Sequence, residues 1–453
     1  MKDELLGLCQ KLAADYVEIR LQEGVSTNIH YAGNELEDIG ERTERGGCVR
    51  VLKDGGWGFA TFNDLDELEK YAEMALRQAE LVGGEKFGLA PLAPRQETYR
   101  TPVDTDPADV DLEEKQAMCR RYNDALLKHD RIQSTSVIYR DKHGTIRFGS
   151  SEGSYLEQEI VFSGAMVAAI AVDGTNIQRA YESNGDLRGF DKVAHMDEDC
   201  EKVARRALES LDARPVEAGT YTVIADPKLC GVFVHEAFGH LSESDFLYEN
   251  PRLREIMEIG RRFGPDILNI TDDGSLEGEA GFVPFDSEGV PGSRTPLIKE
   301  GVLTGRLHNR ETAAKMGEEP TGNARAISYR HPPIVRMTNT FMEPGESTFE
   351  EILAATEDGI YAIGMLGGQT NMEMFTFSAE EAFRIRGGEI REKIRDVVLT
   401  GNVFQTLQNI DMIGDDFKMH GGLGGCGKGG QSPLRVGDGG PHCRMRNVVI
   451  GGR

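Results

Sequence analysis

Alternating apolar and polar residues occur in short runs along the first half of the chain, between amphipathic segments. Alternation predicts strands, because every second side chain of a strand lies on the same face. Apolar residues three and four positions apart predict helices. We therefore predict helices over 1–14, 63–82, 111–128 and 197–211, and strands over 16–22, 27–32, 47–53, 56–61, 132–141, 145–149, 156–171 and 178–183.

The pattern changes after Arg214-Pro215, where glycine-rich segments and short strand-like runs replace the long helical patterns. We predict an α+β fold with an N-terminal α/β domain over 1–213 and a β-rich catalytic domain over 214–453. Glycines and prolines place a candidate sub-boundary near 83–108. The order helix, strands, helix occurs twice before 214, which suggests two similar halves, although no sequence repeat is detectable.

Composition narrows the class of protein. The 453 residues carry a formal net charge of −25, which opposes binding to nucleic acid or to an anionic membrane surface. The chain has no apolar run of 18 residues and no secretory signal at its start, so we expect no membrane partner. Seven scattered cysteines, an odd number, indicate the reducing cytoplasm.

One predicted helix carries the candidate chemistry. It follows a buried-looking strand over 221–225, with Asp226 as N-cap and Pro227 as its first residue. Within it stands the sequence His235-Glu236-Ala237-Phe238-Gly239-His240. Neutral imidazoles are good zinc ligands, and a glutamate beside the first can take a proton from a metal-bound water.

The spacing of the two histidines does not suit a regular helix. The zincin pattern H-E-x-x-H places its histidines four apart, whereas His235 and His240 are five apart. On an ideal helix, five residues turn about 500°, which leaves the side chains about 140° apart. Because Gly239 can widen or end a helix, we predict a distorted last turn. The alternative is that one histidine caps carbonyls and the other packs in the core.

A catalytic zinc usually takes a third protein ligand. The candidates are Glu243 and Cys426, and the residues alone leave the choice open. Cys426 lies in GGLGGCGKGG, where seven of ten residues are glycine. This loop matches the dinucleotide-binding pattern G-x-G-x-x-G at Gly422, Gly424 and Gly427, and it matches most of a P-loop, but the sequence after it opens no helix. We therefore expect zinc and no nucleotide cofactor.

These segments resemble the TldD/PmbA family of peptidases, and specifically its zinc-bearing TldD branch. HEAFGHLSESDF is similar to the H-E-x-x-x-H signature of that branch, and GGLGGCGKGGQS resembles a C-terminal block. The resemblance spans about 218 to the end and continues more loosely through the first 213 residues. By the resemblance, zinc is held by His235, His240 and Cys426, and the catalytic base is Glu236.

The resemblance also implies an activity and an assembly. It implies a zinc metallopeptidase that acts on small or unfolded polypeptides, as a homodimer or as a heterodimer with a PmbA-like subunit. Glu243 and Asp245 become candidates for orienting a ligand imidazole. The alternatives are a catalytically silent subunit that binds peptides or a partner, a structural zinc protein, and a nucleotide-binding enzyme. Because the chain keeps all four matching residues, we expect the catalytic role.

Overall fold

The computed structural model describes residues 1–371 and 373–451, so the last two residues of the predicted 214–453 domain lie outside the described residues. The predicted α+β class is confirmed, since helices accompany sheets that are mostly antiparallel. A seven-stranded sheet belongs to the N-terminal part. The C-terminal part contains a six-stranded sheet, an eight-stranded sheet and two two-stranded sheets.

The N-terminal sheet has seven strands in the order β3-β2-β1-β5-β6-β4, with β7 also paired to β6. Its strands are β1 Tyr16–Ala32, β2 Glu35–Lys53, β3 Gly56–Phe62, β4 Gln96–Tyr99, β5 Ile132–Ser150, β6 Tyr155–Asp173 and β7 Asn176–Asp186.

Strand β1 is continuous where the sequence predicts two strands, and the same is true of β5. The glycines that look like breaks, Gly24 and Gly144, lie opposite each other in the paired strands. A Cβ on Gly24 would stand 2.6 Å from the carbonyl oxygen of His143. The glycines therefore permit a close approach of two strands in mid-sheet and end neither of them.

The N-terminal helices pack on one face of this sheet: α1 Lys2–Lys11, α2 Leu68–Val82, α3 Leu112–Leu126, α4 Asp191–Ala194 and α5 Asp197–Asp212. Alternate residues of β1 serve two clusters. Val17, Ile19 and Leu21 pack with α1 and α2. Ile29 and Tyr31 pack with α3 and α5. The two helix groups thus share one sheet.

The C-terminal part contains a six-stranded sheet, ordered β12-β11-β10-β15-β24-β21, and an eight-stranded sheet, ordered β16-β9-β25-β19-β17-β18-β8 with β20 on β25. An additional β16–β17 pairing closes part of the larger sheet on itself. The strands are β8 Arg214–Pro215, β9 Gly219–Ala225, β10 Ile270–Asp273, β11 Arg294–Lys299, β12 Val302–Leu303, β13 Ala324–Arg325, β14 Ile334–Val335, β15 Asn339–Met342, β16 Asp358–Asn371, β17 Met374–Arg386, β18 Glu389–Arg395, β19 Val398–Asn402, β20 Ile410–Ile413, β21 Lys418–His420, β22 Cys426–Lys428, β23 Gln431–Leu434, β24 Gly437–Gly440 and β25 Cys443–Gly451.

Short helices join these strands: α6 Pro227–Val234, α7 Ser244–Glu249, α8 Pro251–Ile256, α9 Arg310–Met316, α10 Phe349–Ala354 and α11 Val403–Gln408. Helix α6 contacts β24 of one sheet and β16 of the other, so it lies in the main C-terminal core. Within the described residues, no helix is long and apolar enough to cross a bilayer. The seven cysteines are free and buried.

Candidate metal centre

Helix α6 begins as the sequence predicts. The Asp226 carboxylate accepts a hydrogen bond from the Leu229 N–H at 2.9 Å, and Pro227 occupies the first turn. The same carboxylate oxygen accepts the Gly364 N–H of β16 at 2.8 Å. This cap fixes the start of the helix against the larger sheet and so sets the position of the residues at its other end.

The predicted distortion at the end of α6 is confirmed. Residues His235–Gly239 form a π-helical turn, and His240–Ser242 continue as a 3-10 turn. The His240 N–H donates to the His235 carbonyl five residues earlier. A π-turn of this kind brings residues five apart to the same side of the helix. The two imidazole rings consequently have centroids 5.3 Å apart.

The predicted reason for the distortion is wrong in one respect. Gly239 has φ −56° and ψ −52°, which any residue adopts, so its conformational freedom is not used. A Cβ there would instead stand 2.0 Å from the sulfur of Met337, a fully buried side chain. Gly239 is therefore needed for close packing beside the turn.

Cys426 reaches the same place from a distant part of the chain. It begins β22, which pairs with β23 in a short hairpin, and the turn uses Gly429 and Gly430 at φ +57° and +77°. As far as the structure describes the chain after this loop, to residue 451, it contains no helix, which contradicts both nucleotide-binding motifs. Buried Arg336 donates to the Cys426 carbonyl at 2.6 Å and to the Gln431 carbonyl at 3.2 Å, which holds both strands of the hairpin.

The structure brings three of the predicted residues together. The Cys426 sulfur lies 3.3 Å from Nε2 of His240. One donor atom from each of His235, His240 and Cys426 lies within 4.8 Å of the others. All three side chains are largely buried. Two imidazoles and a thiol at this spacing form a donor set that suits zinc.

Each imidazole has a carboxylate behind it. Nδ1 of His240 lies 2.9 Å from Oε2 of Glu243, a fully buried side chain, as expected for a residue that orients a ligand. Nδ1 of His235 lies 2.7 Å from Oδ1 of Asp438, although the N–H is poorly aligned for a hydrogen bond. Asp438 was not predicted from the sequence.

Asp245, the other candidate for orienting an imidazole, contacts an ammonium group and accepts the Val335 N–H at 3.2 Å. Lys428 Nζ lies 2.6 Å from Oδ1 of Asp245 and 3.2 Å from Oε2 of Glu243. Lys428 also donates to the Val335 carbonyl at 2.8 Å. Asp245 thus acts on the imidazole of His240 only through Lys428 and Glu243. Lys428 comes from the hairpin of Cys426 and was also missed.

The contacts within this cluster shift its acidities. Burial alone would raise the pKa of the Cys426 thiol, but hydrogen bonds and charge from His235 and His240 lower it to about 6. Burial opposes the charged form of His240, yet Cys426 and Glu243 raise its pKa to about 9. Burial likewise opposes the charged form of His235, whose pKa is nevertheless raised by Asp438 and then Cys426. The thiolate is thus favoured, and the thiolate is the form that binds metals.

Glu236 stands beside this cluster. It is half-buried and lines a cavity of about 340 Å³ together with His235 and Cys426. The N-terminal sheet also contributes to the cavity wall, through Met166 and residues 181–184. The predicted base therefore shares one cavity with two of the three predicted ligands, and this cavity is large enough for a segment of peptide.

Comparison with known families covers nearly the whole chain. Residues 218–452 match the family model described as the PmbA/TldA metallopeptidase C-terminal domain. Residues 17–79 match domain 1 and residues 105–214 match the central domain of the same metallopeptidases.

Curated relatives agree with these matches. A metalloprotease of Synechocystis is 48% identical over 99% of this chain and 97% of its own length. A zinc metalloprotease TldD homolog of Saccharolobus solfataricus is 29% identical over 98% of each chain.

Solved structures share the fold. A Thermotoga maritima protein described as a modulator of a DNA gyrase superimposes with a TM-score of 0.81, at 22% identity, over 99% of each chain. TldE from Thermococcus kodakarensis gives a TM-score of 0.74, at 18% identity, over 97% of each chain.

Proposed function

Since this chain belongs to the TldD/PmbA family of metallopeptidases, we propose that it is a zinc-dependent peptidase of the TldD branch, with the metal held by His235, His240 and Cys426. The convergence of these three donor atoms within 4.8 Å carries the proposal. It is supported further by the carboxylates that contact the two imidazoles. A relative of similar length that is named a zinc metalloprotease supports the choice of zinc as the metal.

The carboxylates keep the imidazoles ready to bind a cation. A carboxylate that accepts from Nδ1 fixes the tautomer that leaves Nε2 as the donor. Glu243 does this for His240, and Asp438 lies in the equivalent place behind His235. The Cys426 thiolate brings a negative charge that partly compensates the charge of a divalent cation in a buried site.

Zinc bound in this way supplies Lewis acidity, which lowers the pKa of a water molecule and polarises a carbonyl. Glu236 lies in the same cavity, half-buried, where its carboxylate can accept a proton from water and return it to a departing amine. The cavity walls, which include Met166 and Met365, would exclude bulk water from a bound peptide. The proposed substrates are small or unfolded polypeptides.

Replacement of the base tests this proposal. Glu236→Gln removes the proton acceptor and keeps the shape of the side chain. We expect zinc content to stay at the wild-type level, while hydrolysis of an unfolded polypeptide falls about 10²–10⁴-fold. The measurement is zinc content by plasma mass spectrometry together with peptide cleavage by mass spectrometry.

Other outcomes would redirect the assignment. Wild-type rates in Glu236→Gln would show that this residue is not the base. Zinc-loaded wild-type protein that cleaves nothing, alone or mixed with a PmbA-like subunit, would instead favour the catalytically silent partner. We propose a dimer, either of two like chains or with such a subunit, and mixing experiments distinguish the two.

A further inference from the structure

A second cavity, of about 240 Å³, lies between the N-terminal sheet and the C-terminal loops. The N-terminal sheet contributes Arg20 and Lys142, and the C-terminal part contributes Arg325 and Arg435. This cavity is directly behind the hairpin of the candidate metal centre, because its wall includes Leu434, which pairs with Cys426. Positively charged residues from both parts of the chain therefore line one cavity.

The three guanidinium groups of this cavity have carbonyl partners. Arg20 donates from Nη2 to the carbonyls of Ser328 and His331, at 2.9 and 3.1 Å. Arg325 donates from Nη2 to the Arg435 carbonyl at 2.8 Å and from Nη1 to the Met337 carbonyl. Arg435 donates from Nε to the Ala280 carbonyl at 2.7 Å. Within the described ranges, no carboxylate forms an ion pair with Arg20, Arg325 or Arg435, and the buried Nε of Arg20 has no partner.

This arrangement is unusual for so acidic a protein. The chain has 76 acidic and 51 basic residues, so carboxylates are plentiful elsewhere. Arg20 and Arg325 are only 4% and 7% exposed, and burial of an unpaired charge is costly. Burial, followed by the charges of Arg435 and Arg336, lowers the pKa of Arg325 to about 9, although the charge of Asp272 opposes this shift.

The acidic group of the cavity wall does not neutralise these charges. Asp286 accepts hydrogen bonds from the backbone N–H groups of Glu288, Val290 and Ala324. Burial, with the Glu288 charge, raises the pKa of Asp286 to about 8. The Lys142 ammonium group has one carboxylate neighbour, Glu44, at 3.3 Å. The cavity thus keeps a positive potential that a bound anion would compensate.

We propose that this cavity is an oxyanion-binding site, which takes a carboxylate or a phosphate group between Arg20, Lys142 and Arg325. Arginine suits such a ligand because its guanidinium group carries a positive charge and several N–H donors. The site goes beyond the proposed peptidase activity and does not depend on it. Two sources offer this chemistry: a small free oxyanion such as phosphate, and the terminal carboxylate of a peptide.

Calorimetric titration of the full-length protein with inorganic phosphate, at constant ionic strength, tests the proposal. We expect saturable binding of one phosphate per chain. Arg20→Gln and Lys142→Gln each remove one charge and keep a polar side chain, and each should weaken binding about tenfold. Lys142 is 29% exposed, so its replacement should fold even where a buried arginine variant does not. Exposed Arg254→Gln is the matched control and should bind as the wild type does.

Competition then identifies the source. If a peptide with a free C-terminus displaces phosphate and its amidated form does not, the ligand is a peptide carboxylate. If neither displaces it, the ligand is a small free oxyanion. The proposal is wrong if phosphate does not bind, or if folded Lys142→Gln and Arg254→Gln bind it equally well.

Discussion

The packing of Gly239 against Met337 leads to a prediction that separates two explanations for the glycine. If glycine were needed for its backbone conformation, alanine at position 239 would destabilise the protein whatever side chains surround it. The observed helical angles and the 2.0 Å approach to the Met337 sulfur indicate that only packing forbids a side chain. Gly239→Ala should therefore destabilise the protein, and a smaller residue at 337 should relieve that cost.

The magnitude follows from two opposing effects. Inserting a methyl group into a filled core costs about 1–3 kcal/mol. Replacing glycine by alanine in a helical conformation gains about 1 kcal/mol. The net loss in the free energy of unfolding should be on the order of 1 kcal/mol. For the C-terminal part of the chain, which begins at 214, such a loss lowers the unfolding midpoint by about 2–4 °C. Met337→Ala alone should cost about 2–5 kcal/mol, because Met337 is fully buried.

A double-mutant cycle measures the coupling directly. Stability of the metal-free protein is followed by circular dichroism in urea for the wild type, both single variants and the double variant. The double variant should be more stable than the sum of the single losses by about 1–3 kcal/mol. Strictly additive losses would refute the packing explanation, whatever the stability of Gly239→Ala alone.

Three further predictions concern the metal centre. Glu243→Gln should weaken zinc binding about 10–100-fold in chelator competition, because His240 loses its orienting carboxylate. Asp245→Asn, which changes contacts to Lys428 and to the Val335 N–H but none to an imidazole, is the matched control and should bind zinc more tightly than Glu243→Gln. Asp438→Asn should weaken zinc binding to a similar extent through His235, and unchanged affinity would remove Asp438 from the site. In the metal-free protein, a thiol whose pKa is lowered becomes thiolate at lower pH, so the rate of Cys426 alkylation should rise with a midpoint near pH 6. Bound zinc should protect the thiol from alkylation. A midpoint near the ordinary pKa of 9.0 would contradict the described contacts.

Local patterns predict the helix of the metal centre well because its signals are adjacent in sequence. The cap at Asp226, the start at Pro227 and the distorted turn before His240 all follow from residues within 15 positions of each other. The spacing argument holds because five residues overshoot an α-helical turn and fit a π-turn. The role of Gly239 could not be predicted, since Met337 approaches it from the segment between β14 and β15, about a hundred residues later in the chain.

Residues that meet through the fold were harder to find. Asp438 and Lys428 lie in glycine-rich segments with no helical or strand periodicity, and nothing in the sequence pairs them with His235 or Asp245. Cys426 was one of two open candidates until the family resemblance supported it. The continuous strands β1 and β5 were predicted as four pieces, because Gly24 and Gly144 look like breaks until one sees that they face each other.

The most direct measurement of the central claim uses Co²⁺ as a spectroscopic substitute for Zn²⁺. One equivalent of Co²⁺ added to the metal-free wild-type protein should give a thiolate-to-cobalt charge-transfer absorption. The same band should appear in Glu236→Gln and disappear in Cys426→Ser, and zinc should displace it. A wild-type protein without this band, or a Cys426→Ser protein that keeps it, would contradict a metal site built from His235, His240 and Cys426.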